Sequence, residues 1–125
     1  MWIEFNENPV GKRIGDCAVR AVQVALGISW ADSYALLAQK GFELGDMPSA
    51  DRVWGETLRD HGFVRRSISN YCPECYTVLD FASEHFKGVF VLGIGGHVVT
   101  VRDGNWFDSW DSGGECPIFY YAKEE

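Results

Sequence analysis

Nucleophilic chemistry is within reach of this chain if Cys17, His97 and a carboxylate at Asp108 or Asp111 meet in space. Cys17 stands at the start of an apolar-periodic segment. A cysteine there lies against the positive end of the helix dipole and several unpaired backbone N–H groups, which favours the thiolate that attacks carbonyls. Gly15 and Asp16 permit a tight turn into the helix and keep the sulfur at the edge of the fold. His97 follows Gly95-Gly96 and opens a strand, so it sits where a backbone of little bulk leaves room for a substrate. A histidine that relays the thiol proton needs a hydrogen-bond acceptor on its far nitrogen, and the next strand offers two acids.

Hairpin geometry chooses between them. Asp103-Gly104 is a strong signal for a two-residue turn, which pairs Arg102 with Asn105, Val101 with Trp106, Val99 with Asp108 and His97 with Trp110. Strand alternation then places His97, Val99, Trp106, Asp108 and Trp110 on one side and Asp111 on the other. Asp108 becomes the diagonal neighbour of His97 at roughly 7 Å between backbones, a gap the side chains can close. Arg20, three residues after Cys17, shares its helix face and is expected to pair with Asp111, tying helix to sheet. Trp110 is placed to shield the His97 hydrogen bond from water.

These residues need elements that bring them together. Asp16 stands at an N-cap position, Cys17 to Leu26 is apolar on nearly every turn, and Gly27 is a stop. A second helix starts at Ser29, with Asp32 as a capping-box variant, and runs to Gly41; a third runs from Ser49 or Ala50 to about Asp60. After Gly62 the pattern turns extended: Phe63 to Ser69, a helix opened by Thr77-Val-Leu-Asp80, then Val89 to Ile94, His97 to Arg102, Asn105 to Trp110 and Pro117 to Ala122. Helices followed by strands imply one α+β domain over residues 1–125, the helical half packed on a C-terminal antiparallel sheet.

Gly15-Asp-Cys-Ala-Val-Arg-Ala21 at a helix start, Gly96-His-Val-Val-Thr-Val101 opening a strand and Phe107-Asp-Ser-Trp-Asp-Ser-Gly113 after the next turn resemble the papain-like cysteine peptidases. Within them they resemble most the compact bacterial and phage proteins related to double-glycine leader peptidases, which Thr77-Val-Leu-Asp-Phe81 and Lys87-Gly88 also fit. The resemblance implies a papain-like fold and thiol hydrolysis of a peptide or isopeptide bond, with Cys17 as nucleophile, His97 as base and Asp108 orienting the base. The alternatives are acyl transfer or amidase chemistry with the same residues, or a non-catalytic module that binds peptides. Papain-like enzymes carry an oxyanion-hole Gln shortly before the cysteine; here Gly11 stands six residues before it. Asn6, Asn8 and Lys12 are the nearby donors, Asn8 the preferred one, beside the backbone N–H of Cys17.

The remaining features narrow the function. The chain has 125 residues and a formal charge of −7, spread along it, which disfavours nucleic acid. No apolar run approaches a membrane span, and Glu4 and Glu7 stand where a signal peptide wants a basic start, so a soluble, cytoplasmic protein is expected. Among four cysteines, Cys72-Pro-Glu-Cys75 is half of a zinc site with no second half, and it reads as a loop with two ordinary thiols. His61 and His85 lie at helix ends and are structural. No metal or cofactor is expected, and the partner is a peptide or protein substrate.

Overall fold

The computed structural model describes residues 1–70 and 75–123. In chain order the elements are β1 (Trp2–Glu4), α1 (Cys17–Leu26), α2 (Trp30–Leu44), α3 (Asp51–Asp60), β2 (Phe63–Ser67), α4 (Val78–Glu84), β3 (Val89–Ile94), β4 (His97–Arg102), β5 (Asn105–Asp108) and β6 (Phe119–Lys123). The class is α+β, as expected. The strands form one six-stranded sheet in the order β1-β5-β4-β3-β6-β2. It is mixed, not purely antiparallel, because β1 runs parallel to β5, Trp2 opposite Trp106 and Glu4 opposite Asp108. A strand therefore precedes the helices, contrary to the helices-first layout. Among the described residues no single helix is long and apolar enough to cross a membrane.

Both faces of the sheet are covered, which explains why β3 and β4 are almost wholly apolar rather than alternating. Val91 and Val98 point to one face and join Ala18, Val22, Leu37, Trp54 and Leu58 from the three N-terminal helices. Leu92, Val99 and Val101 point to the other, where Val78, Phe81 and Ala82 of α4 and Trp106 complete a second core. The helical half thus packs on one face as expected, while α4 closes the opposite one.

Local signals account for most element ends. Ser29 accepts a hydrogen bond from the Asp32 N–H at 3.0 Å, and Thr77 and Asp80 form a reciprocal capping box. Gly27 adopts a left-handed φ of 67°. The expected stop at Gly41 is overturned: α2 passes through it to Leu44 and ends at Gly45, φ 69°. Gly41 is instead needed for close approach, since a Cβ there would sit 2.8 Å from the Asp46 carbonyl oxygen. His61 and His85 cap α3 and α4, each Nδ1 bonding a carbonyl one turn back, Thr57 O at 2.8 Å and Phe81 O at 2.9 Å. Cys75 is disulfide-bonded, which corrects its reading as an ordinary thiol; Cys72 lies outside the described residues.

Candidate active site

The turn that sets the register is of the expected kind. Asp103 and Gly104 both take positive φ, 51° and 80°, which is the mirror-image turn that suits a two-residue hairpin. Arg102 pairs with Asn105 and Val101 with Trp106, as the spacing predicts. β5 stops at Asp108 rather than reaching Trp110, so alternation does not extend to Asp111.

His97 opens β4 immediately after the Gly95-Gly96 turn, and its Nε2 lies 2.6 Å from Asp108 Oδ2. That leaves Nδ1 for Cys17, whose thiol interacts with the ring by hydrogen bonding and charge. Cys17 is the first residue of α1. Of the two competing acids, Asp108 is the one brought to His97. Asp111 folds back to accept hydrogen bonds from Trp106 Nε1 at 2.9 Å and the Gly113 N–H at 3.0 Å.

Asp108 is fully buried and saturated with donors. Oδ2 accepts from His97 and from the Ser112 hydroxyl at 2.7 Å; Oδ1 accepts from the Ser109 N–H at 2.8 Å and faces Arg20 Nη2 at 3.2 Å. The expected Arg20–Asp111 pair is therefore corrected to Arg20–Asp108. Arg20 does tie helix to sheet, but at the carboxylate that holds His97. Its other nitrogen, Nη1, bonds Asp16 Oδ1 at 2.8 Å. Asp16 occupies the N-cap position without a side-chain cap bond, because its carboxylate is taken by Arg20 and, at 3.0 Å, by Trp30 Nε1. The i, i+4 spacing of Asp16 and Arg20 was the available signal for that pair. Ser112 is a support that sequence reasoning missed, and nothing in its type distinguishes it from Ser109.

Asn8 is drawn into a turn before α1, its Oδ1 accepting from the Val10 N–H at 3.0 Å and the Lys12 N–H at 3.4 Å. It lines neither cleft beside Cys17, so its placement gives no support to the expected oxyanion role. Two clefts of about 290 and 360 Å³ flank the pair and share Gly15, Cys17, Gly96 and His97. One continues to Ser49, Asp51 and Trp54, the other to Arg13, Ile14 and Trp110. The two clefts thus meet at Cys17 and His97. The Trp110 ring lies against the imidazole, 5.0 Å between centroids.

The electrostatics favour a charged pair. Burial raises the Cys17 thiol, but the hydrogen bond and charge of His97, the Val98 backbone N–H and the charge of Arg20 outweigh it, leaving the thiol below its ordinary value. Burial lowers His97, yet Asp108 and Cys17 together push it up to about 9. Burial likewise raises Asp108, and His97, Ser112 and Arg20 more than reverse it, so the carboxyl lies below its ordinary range. Between the lowered thiol value and about pH 9, thiolate and imidazolium coexist. Alkylation of Cys17, which needs only the thiolate, should reach its plateau below the ordinary thiol range and stay there. Any acyl-transfer turnover that also uses the imidazolium proton would fall again above about pH 9. Stopped-flow alkylation and steady-state rates across pH 4–10 (roughly the span of these groups) test this; an alkylation rate still climbing above pH 8.5, about where a free thiol titrates, would contradict it. The same shift makes the His97 contribution to stability complete below an ordinary histidine value and lost as pH rises through about 9. No protein-family model matches this chain, and no curated protein and no solved structure matches it.

Proposed function

We propose that this protein is a papain-like thiol hydrolase that cleaves a peptide or isopeptide bond through an acyl-enzyme on Cys17. The observation that carries the reading is a fully buried Asp108 held 2.6 Å from His97, itself interacting with a thiol at the first turn of a helix. A histidine kept only for packing does not need a carboxylate saturated by Arg20, Ser109 and Ser112 behind it. In the proposed cycle Cys17 Sγ attacks the carbonyl carbon, and the oxyanion forms against the first-turn N–H groups of α1, that of Cys17 included. His97 Nδ1 delivers its proton to the leaving amine as the C–N bond breaks. Neutral His97 then takes a proton from water, whose oxygen attacks the thioester, and collapse returns the acid product and the thiolate. Asp108 stays ionised and holds the ring so that Nδ1 faces the sulfur. A cytoplasmic setting, a peptide or protein substrate and independence of any cofactor belong to the same proposal.

The test is labelling with an electrophilic peptide probe, followed by mapping of the modified residue. Cys17 is expected to carry the label and Cys116, the other free cysteine of the described residues, is not. His97→Ala should slow labelling on the order of 10²-fold. Equal labelling of Cys17 and Cys116, unaffected by His97→Ala, would leave a non-catalytic module of the same fold as the better reading.

A further inference from the structure

The cleft beside Cys17 does not end at Trp54. Asp51 lines both that cleft and a neighbouring pocket of about 250 Å³, and Trp54 stacks on Phe119 in the pocket wall at 5.8 Å, 11° between planes. Arg65 lies over the far ring, its guanidinium carbon 4.4 Å from the Phe119 centroid. Arg52 and Arg59 of α3 also line the pocket. Arg65 is therefore at most about 10 Å from Trp54, the length of about three extended residues.

The charges in this pocket are unequally committed. Glu56 is engaged by Arg59 Nη1 at 2.6 Å, and Asp51 Oδ1 accepts from Trp54 Nε1 at 3.1 Å. Among the described residues Arg52 and Arg65 form no ion pair. The indole leaves the charge of Asp51 in place, so the lining sets three arginines against Asp51 and Glu56 and presents cationic hydrogen-bond donors with a net charge of +1, in a chain whose formal charge is −7. Arg65 is also held in place, since its stem belongs to β2, paired residue by residue with β6, and its head rests on an aromatic face. A guanidinium fork fixed in that way suits a planar carboxylate.

We infer that this pocket is a specificity subsite that binds a carboxylate, from an Asp or Glu side chain or a chain terminus, about three to five residues from the bond presented to Cys17. The inference rests on the proposed peptide hydrolase reading, because it takes the clefts that meet at Cys17 to be the path of the substrate. Local charge decides which residue is read, and the general surface only weakens encounter.

The experiment measures fluorescence anisotropy of fluorescein-labelled Gly/Ala/Ser octapeptides with the Cys17→Ala protein. Glu is scanned through the sequence against matched Gln and Lys peptides, each with a free or an amidated C-terminus. At one or two neighbouring positions the Glu peptide should bind about tenfold more tightly than its Gln match, with the Lys peptide weaker still. Added Arg65→Gln should shrink the gap to under about twofold, whereas Arg65→Lys, which keeps the charge, should retain part of it. If only the free C-terminus produces the gain, the carboxylate is a terminal one; if amidation changes nothing, it is a side chain. Iodoacetamide labelling of Cys17 in otherwise wild-type Arg65→Gln should be unchanged, showing an intact fold and site. Equal binding of Glu and Gln peptides, no binding of either, or a preference that survives Arg65→Gln would overturn the inference. Failure of Cys17 to react faster than Cys116, with the Arg65-dependent preference intact, would instead sink the hydrolase reading and leave the subsite standing.

Discussion

On the proposed hydrolase mechanism, Asp108→Ala is expected to lower turnover of a peptide ester by about 10⁴-fold, while Asp111→Ala stays within about tenfold of the parent. The asymmetry follows from what each carboxylate holds. Asp108 is the acceptor for His97 Nε2, so its loss frees the ring to rotate and removes the charge that keeps the imidazolium at about pH 9. Asp111 holds Trp106 Nε1 and the Gly113 N–H, and its removal leaves an indole donor unpaired at a cost of about 1–3 kcal/mol in stability. Asp108→Asn is not a mild substitute here. All four groups around the carboxylate, His97, Ser112, the Ser109 N–H and Arg20, now donate to it or face it as donors. An amide turned to accept from His97 points its NH₂ at Arg20 and the Ser109 N–H. Asparagine should therefore lose both stability and most of the turnover. Steady-state rates with a folding check by circular dichroism decide the matter; a fast Asp108→Ala enzyme would remove Asp108 from the mechanism.

That the sequence pointed to Asp108 rather than Asp111 depended on local turn chemistry. Asp-Gly has few ways to join two strands, and positive φ at both residues sets the pairing that carries Asp108 towards His97. The caps at Ser29 and Thr77 were legible for the same reason, since both partners of each bond lie within four residues. Strand alternation does not carry over to Asp111, because β5 does not run on to Trp110. The strand ends at Asp108, and Asp111 is turned back on Trp106 by contacts beyond strand periodicity.

Long-range features were less legible in proportion to the chain between their partners. β1 has three residues and its partner strand lies about a hundred positions away, with no pattern around Trp2 to announce a parallel edge strand. Gly41 reads as a helix stop because glycine usually is one, and only the approach of the Asp46 carbonyl shows why glycine stands inside α2. Asn8 is a candidate oxyanion donor by its type and its nearness to Cys17 along the chain. A free side-chain amide before a helix is as well suited to holding a turn, and that is where its oxygen is used.

Arg20→Ala is expected to cost about 3–5 kcal/mol of folding stability, as for one partner of a buried ion pair, not the roughly 1 kcal/mol or less of a surface pair. Arg20 is 5% exposed and sits between Asp16, 6% exposed, and Asp108, which is wholly buried. Without it two buried carboxylates face each other's side of the site with only neutral donors and His97 to balance them. The fold itself should survive, because α1 is also tied to β4 by the Thr100 hydroxyl on Ala21 O at 2.7 Å and to α2 by the Ser33 hydroxyl on Val19 O at 2.7 Å. The deficit should depend on pH in a definite direction. Arg20 helps to hold the Asp108 carboxyl below its ordinary range, so removing it raises that value and moves acid protonation of Asp108 to higher pH. The stability gap between wild type and Arg20→Ala is therefore largest near neutrality and narrows as pH falls into the carboxylate range, where protonation relieves the uncompensated charge. Urea titrations at pH 7 and about pH 4.5 read both quantities. A gap below 1 kcal/mol, or one that widens on acidification, would show that Arg20 is not the residue that balances Asp16 and Asp108.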